Sequence, residues 1–409
     1  MNPMSPRLSL IYQKNQHLLD SLILRKAPRF VYQSDQDPID GHIPVFTFHT
    51  AIPEWFEAQC QHLAENGYHT LSADEFYSAL TSKHQPVKKS VFITFDDGLK
   101  HVWTVAFPLL KKYGLKATCF LITGCIPEDD HRVRPTLEDY WKGEASLDEV
   151  LCMAPTEEAL ATWNEITIMH ESGVIDFQSH TMYHSLVFTS NAVFNFVHPE
   201  FNPYFYGNIF VPMYTKSGQD VVSRDPLLGM PIYQGQPRMI AKSRFFDDEG
   251  LRTACITAVQ NEGGQEFFQE KGWRKKLELV MTDYRRQHKV SERYETPEER
   301  EHALVEELRE SRVIIEERLK GKNVNQLCYP FYEGDEVSIR ASQTAGYDVN
   351  FFGQRKGRLV NRPGDDPLNV VRVEDIFLRR LPGSGRQSLV DLIKDFWDMR
   401  KLPAEVGLG

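Results

Sequence analysis

Val91-Phe92-Ile93-Thr94-Phe95-Asp96-Asp97-Gly98 is the stretch on which the reading of the whole chain turns. Its first five residues are apolar or β-branched and follow Lys88 and Lys89, the pattern of a short strand buried on both faces. Such strands belong to parallel sheets covered by helices. The run ends on two adjacent carboxylates and a glycine that permits a tight turn, and the carboxyl end of a strand is where α/β folds carry their sites. Two neighbouring acids repel unless a cation neutralises one of them. Taken alone, the triplet is better read as a solvated Asp-Asp-Gly turn, so it needs partners elsewhere.

Working outward, a strand is expected at Ile43 to Phe48 and a helix from Pro53 to Asn66 with Trp55, Phe56 and Leu63 on one face. Ser72 and Glu75 have the spacing of a capping box, with Phe76 and Leu80 four apart behind them. Downstream, a helix from His101 to Tyr113, a turn at Gly114 and a strand from Ala117 to Ile122 repeat the unit. The helix Thr162 to Ser172 leads through Gly173 to a strand from Val174 to Gln178. From Leu186 to Glu292 the alternation is lost among many aromatics (Phe188, Phe194, Phe196, Phe201, Tyr204, Phe205, Tyr206, Phe210, Tyr214). These are expected to form a satellite core under long loops in preference to a sugar-stacking platform. A helix capped by Thr296, Pro297 and Glu299 then restores the rhythm. After it come strands at Gln326 to Tyr329 and Val349 to Phe352, a helix at Val337 to Ala345, a strand at Ile376 to Leu378 and a helix from Ser388 to Met399. The implied organisation is an N-terminal extension (1–40), an α/β domain in two parts (41–186 and 291–400) and an insertion (187–290).

Bulk properties narrow the classes. At 409 residues with 41% hydrophobic and 25% charged residues, the chain is that of a globular protein of enzyme size. A formal charge of -10, with no basic run, argues against nucleic acid as a partner. Six cysteines without C-x-x-C spacing (Cys60, Cys119, Cys125, Cys152, Cys255, Cys328) read as buried free thiols. The apolar stretch Leu18 to Leu24 is interrupted by Asp20 and Ser21 and does not read as a secretory signal. No apolar run reaches the roughly eighteen residues of a spanning helix, so the expected setting is cytoplasmic, without a transmembrane anchor.

The second chemical motif is His180-Thr181-Met182-Tyr183-His184, directly after a strand. On a helical turn this spacing brings both imidazoles to one side. With a carboxylate from the first motif they make a two-histidine, one-carboxylate metal set that leaves coordination positions open.

Together, Thr94-Phe95-Asp96-Asp97-Gly98 and His180-Thr181-x-x-His184 resemble the polysaccharide deacetylase family, of the NodB-homology type. The likeness runs over about Pro44 to Leu381, interrupted from Val187 to Val290. It implies a distorted, incomplete (β/α) barrel with a large insertion, and an enzyme that hydrolyses an N-acetyl or other N-acyl group from an amino sugar or saccharide. By the same resemblance, Asp97, His180 and His184 hold one divalent metal ion, zinc with cobalt or nickel as alternatives, which activates a water. Asp96 is then the general base. The family's oxyanion loop is matched by Tyr329-Pro330-Phe331-Tyr332-Glu333-Gly334, with Phe331 as N–H donor and Tyr329 and Pro330 beside the substrate.

Two features depart from the general pattern. The family's late Leu-x-His acid is missing, since His302 is the last histidine. Phe46-Thr47-Phe48-His49 instead resembles the first strand of the poly-N-acetylglucosamine deacetylase subgroup, which makes His49 the candidate general acid, with a structural histidine at a strand end as the other reading. Tyr329 also stands where the family has an arginine, leaving Arg379 or Arg380 to pair with a carboxylate, or to lie on a solvated edge. The expected partner is an N-acetylated saccharide or sugar conjugate. A deformylase or cyclic amidase on the same scaffold, or a non-catalytic relative, are the competing readings. The oligomeric state is not legible.

Overall fold

The computed structural model describes residues 26–32, 39, 41–81, 87–128, 133–151, 159–201, 211–214, 220–223, 227–355 and 358–399. In chain order the strands are β1 (Val45–Phe48), β2 (His69–Thr70), β3 (Ser90–Phe95), β4 (Ala117–Leu121), β5 (Ile175–Ser179), β6 (Leu186–Phe196), β7 (Val211–Tyr214), β8 (Asp220–Ser223), β9 (Pro231–Pro237), β10 (Phe245–Phe246), β11 (Arg293–Tyr294), β12 (Gln326–Cys328), β13 (Val349–Phe352), β14 (Val370–Val371) and β15 (Val373–Glu374). The chain divides into two compact units. One comprises Tyr183–Glu306 and Glu333–Ala341, and the other the described residues up to Met182, then Glu307–Tyr332 and those from Ser342 onward.

The larger unit holds one sheet in the order β14-β13-β12-β5-β4-β3-β1-β15, with β2 beside β3. Every pairing in it is parallel. Its two ends are neighbours in sequence, separated by Arg372 alone. The first half of this short extended segment pairs with β13 (Phe352↔Val371) and the second with β1 (Phe46↔Val373), which bends the sheet into a nearly closed barrel. The thinnest seam lies between β5 and β12, joined by the single pair Leu327↔Ser179.

Strand alternation decides what faces inward. Phe95 packs outward against Phe48 and against Phe56 of the helix Pro53–Glu65, with ring centroids 5.2 and 5.6 Å away. Phe92 turns the other way, into a core shared with Val45, Phe120, Cys328 and Phe351. Asp96, four residues after Phe92, therefore belongs to the inward set at the carboxyl end of the barrel.

The two expected capping boxes form, Ser72 N–H donating to Glu75 Oε2 at 2.7 Å and Thr296 N–H to Glu299 Oε2 at 2.9 Å, and a third joins Thr162 and Glu165. The expected strand at Ile376 to Leu378 is instead a 3₁₀ helix, Asp375–Arg380, and the pairing segment precedes it at Val370–Glu374. An arginine in the middle of Val370-Val371-Arg372-Val373 masks that segment in the sequence. The described cysteines Cys60, Cys119, Cys255 and Cys328 are buried and free, Cys125 is buried, and Cys152 lies outside the described residues. The stretch Leu18 to Leu24 also lies outside them. No helix among the described residues is long and apolar enough to cross a membrane.

The smaller unit is more regular than its sequence suggests. An antiparallel ribbon of β6 and β9 packs with the helices Glu249–Asn261 and Trp273–Gln287 around Phe188, Phe196, Tyr233, Leu251, Cys255 and Leu277. The ribbon's Phe188 and Phe196 are the core aromatics that the composition implied, Phe201 packs against them, and Phe194 is 47% exposed. Tyr204, Phe205, Tyr206 and Phe210 lie outside the described residues, as does the side chain of Tyr214. The helix Trp273–Gln287 escapes notice because only Leu277 and Met281 of its fifteen residues are buried. Arg238 and Glu295 form a buried two-pronged ion pair in this unit, both contacts 2.7 Å.

The closing segment of the barrel depends on Asn361, which is fully buried. Its amide accepts from Val371 N–H at 2.9 Å and donates to Val371 O at 2.8 Å, standing in for a neighbouring strand. Asn361→Ala leaves both backbone groups without that partner, and we expect a loss of about 2–3 kcal/mol in urea unfolding. A loss below about 0.5 kcal/mol, the level of a surface substitution, would show that the closure does not rely on this side chain.

Candidate functional site

The site starts where β3 ends. Asp96 N–H still donates to Phe48 O at 2.9 Å, as a strand residue would, but Asp97 (φ 71°) and Gly98 (φ 81°) are both left-handed. At Gly98 a Cβ would also meet Leu121 Cδ2 at 2.8 Å, so the turn needs glycine for space as well as for φ. The reversal sends the two carboxylates to different surroundings. Asp96 is 1% exposed, whereas the Asp97 side chain is 20% exposed.

Asp96 is neutralised by a protein cation. Arg372, the residue between β14 and β15, grips it with two parallel bonds, Nη1 to Oδ1 at 2.7 Å and Nη2 to Oδ2 at 2.9 Å. Burial alone would raise the Asp96 carboxyl. The Arg372 guanidinium, helped by His180 and His49, more than reverses this and holds it well below the usual carboxylate range. The tertiary structure thereby corrects the expectation for Arg379 and Arg380. Arg379 lies 3.9 Å from Asp395, and Arg380 donates to the backbone oxygens of Val31 and Gln387. Cys328 Sγ lies 3.7 Å from both Asp96 oxygens.

His180 is held by backbone. Its N–H donates to Leu121 O at 2.8 Å, and its ring Nδ1 lies 2.8 Å from Cys328 O. A carbonyl oxygen only accepts, so Nδ1 carries a proton. Nε2 lies 3.5 Å from Asp97 Oδ1. A ring nitrogen and a carboxylate oxygen so placed need a proton or a cation between them. Asp97, His180 and His184 offer ligand atoms that all lie within 4.8 Å of one another. Two imidazole nitrogens and a carboxylate suit a divalent first-row ion, and a histidine with its other nitrogen bonded to a carbonyl is the usual supported ligand. The segment from His180 to His184 is not a helical turn as its spacing suggested. Thr181 (φ 67°) and His184 (φ 52°) are left-handed, because the N–H groups of Thr123 and Gly124 draw on Thr181 O and Met182 O at 3.2 and 2.8 Å.

The parallel register of β1 and β3, with Phe48 beside Phe95, carries His49 alongside Asp96. His49 Nε2 lies 4.0 Å from Asp96 Oδ2, and its ring stands edge-on to Tyr332 at 6.2 Å. Phe331 and Tyr332 are both left-handed, at φ 57° and 63°. Tyr329 and Pro330 are buried: the Tyr329 ring packs 4.8 Å from Phe352, and its hydroxyl accepts from Asn350 Nδ2 at 3.1 Å. They shape the loop from inside and offer no surface for a substrate.

Arg372, Cys328 and the Tyr332 ring, 5.1 Å from the Arg372 guanidinium, are the members that the sequence reading missed. For Arg372 the signal was present, a lone charge inside the valine run. Arg372→Met strands a buried carboxylate and is expected to cost about 3–5 kcal/mol at neutral pH. The sign with pH is set by the depressed Asp96 carboxyl: its contribution is full above about pH 4 and is lost as acid protonates the group. In the variant the same carboxyl no longer has its cation, so acid relieves a buried charge. The gap between the two proteins, read by urea unfolding in chelator, should therefore narrow as pH falls; a gap that widens would contradict the pairing.

Residues 83–195 match the family model described as polysaccharide deacetylase. A Bacillus subtilis (strain 168) protein, YxkH, whose name assigns it provisionally to the polysaccharide deacetylases, is 42% identical over 93 residues, covering 23% of this chain and 33% of that protein. The poly-beta-1,6-N-acetyl-D-glucosamine N-deacetylase of Staphylococcus epidermidis is 30% identical over 152 residues, covering 36% of this chain and 44% of the relative. The match thus spans less than half the length of these curated relatives. Among solved structures, a de-N-acetylase from Aggregatibacter actinomycetemcomitans superposes with a TM-score of 0.47 at 17% identity, over 87% of this chain and 99% of that one. IcaB from Ammonifex degensii gives 0.46 at 17% identity, over 85% and 98%. Residues 83–195, which carry both the acidic and the histidine motif, are thus the part of the chain that is similar to the polysaccharide deacetylases.

Proposed function

We propose that this protein hydrolyses the N-acetyl group of an amino sugar or saccharide, with Asp97, His180 and His184 holding one divalent metal ion, Asp96 as general base and His49 as general acid. The observation that carries the reading is the division of labour between adjacent acids: Asp96 is neutralised by Arg372, while Asp97 lies 3.5 Å from His180 Nε2. Likeness to relatives named as N-deacetylases supplies the substrate class. Zinc, with cobalt or nickel as alternatives, suits the donor set, and such an ion polarises an amide carbonyl and makes water more acidic.

The chain's own groups then have distinct tasks. A carboxylate oxygen has room for more than one hydrogen bond, so Asp96 can keep Arg372 and still accept a proton from water. The guanidinium holds that carboxylate in place, ionised and aimed. His49, 4.0 Å from Asp96, is the group on hand to protonate the departing amine. The oxyanion donor in this reading is the N–H of Phe331, whose backbone is left-handed.

The test is metal content and acetate release on a panel of N-acetylated sugars and chitooligosaccharides. Asp96→Asn should retain metal and lose roughly 10²–10⁴-fold in turnover. His49→Gln should slow amide substrates strongly while sparing an activated aryl acetate, whose leaving group needs no proton. A chelator should abolish acetate release, and zinc, cobalt or nickel should restore it. Metal-free wild type with full activity would sink the reading, and metal without acetate from any sugar would move it to another amide.

A further inference from the structure

Thr181 is a β-branched residue in the left-handed region, lying between the two histidines. A β-branched side chain rarely adopts that backbone, and such strain persists only where the surroundings over-determine it. A closed ring of hydrogen bonds does so here. Thr181 N–H donates to Ser179 Oγ at 3.2 Å, and Ser179 Oγ lies 2.8 Å from Ser311 Oγ. Ser311 Oγ lies 2.7 Å from Thr123 Oγ1, and Thr123 N–H returns to Thr181 O at 3.2 Å. Ser179, Thr181 and Ser311 are fully buried and Thr123 is 3% exposed. The Tyr347 hydroxyl donates to Leu308 O at 2.8 Å.

We infer that Ser311, in the helix Pro297–Arg318, is a positioning residue for the metal-ligand turn. It touches neither Asp96 nor any proposed ligand. It is the one member of the ring that comes from outside the two loops it joins, the loop after β4 and the turn after β5. Without its hydroxyl, Ser179 and Thr123 lose their common partner, and the strain at Thr181 is free to relax by turning His180 and His184 away from their shared point. The links are hydroxyl and backbone groups, so the device does not depend on titration of its members.

The inference rests on the reading of Asp97, His180 and His184 as ligands, and its test separates the two. The full chain is compared as wild type, Ser311→Ala, the near-isosteric Thr123→Val, and Ser342→Ala, which removes a buried hydroxyl bonded to Asn350 instead. Zinc alone is titrated against a competing chelator, and deuterium exchange of the 179–184 backbone is followed in metal-free protein. Ser311→Ala and Thr123→Val should each weaken zinc about 10–100-fold and speed exchange in that segment, with the double variant little worse than either. Ser342→Ala should change neither. Zinc affinity and exchange equal to wild type in both ring variants, or losses no greater than in Ser342→Ala, would overturn the inference. Wild type that binds no zinc, with exchange still accelerated by Ser311→Ala, would retain the ring as the device that holds the turn and remove the ligand reading. Should Ser311→Ala fail to fold, Thr123→Val carries the same comparison.

Discussion

The bidentate pair of Asp96 and Arg372 is the interaction on which the rest of the site depends. Both groups are buried at the carboxyl end of the barrel, where an unpartnered charge would be strongly disfavoured. Arg372 can reach Asp96 only because it sits between two half-strands, one hydrogen-bonded to β13 and the other to β1. Closure of the sheet and neutralisation of the inward acid are therefore one structural event. Having its own fixed cation, Asp96 leaves Asp97 to the histidines, and the repulsion expected of two adjacent acids is resolved by two different positive partners.

Left-handed residues supply the second constraint. Asp97, Thr181, His184, Phe331 and Tyr332 account for five of the six described non-glycine residues with positive φ, and all lie in the loops of the site or its turn. Each is a point where the chain must change direction abruptly after a strand while its side chain or N–H is aimed at a chosen spot. Strain of this kind has to be held by neighbours. Backbone bonds from Thr123 and Gly124 hold the histidine turn, as the β3 turn is held by Ile122 N–H to Asp97 O and Ala161 N–H to Gly98 O.

The barrel was legible in the sequence because its signals are local. Val91 to Phe95, Val349 to Phe352, the Ser72 capping box and the Thr296 cap each specify their element within a few residues. The motifs Asp96-Asp97 and His180-x-x-x-His184 were legible for the same reason, and through them so was the likeness to the polysaccharide deacetylases. Where local signals were mixed, the reading failed. The helix Trp273–Gln287 carries little apolar periodicity because its exposed faces are crowded with charge, and the apolar character of Ile376 to Leu378 outweighs that of a valine run broken by arginine.

The sequence alone determined the alternation of strands and helices, the residue types at the site and the likeness that names its chemistry, since all of these reside in short-range pattern. Tertiary structure decided which acid faces inward, which arginine neutralises it, that His49 stands beside it, and that Tyr329 and Pro330 are interior. Those choices depend on strand register and on the meeting of residues 276 positions apart, such as Asp96 and Arg372. The local pattern marks Arg372 as a lone charge in a valine run but does not say that Asp96 is its partner. Only the parallel pairing that closes the barrel places one guanidinium against that carboxylate and the other two elsewhere.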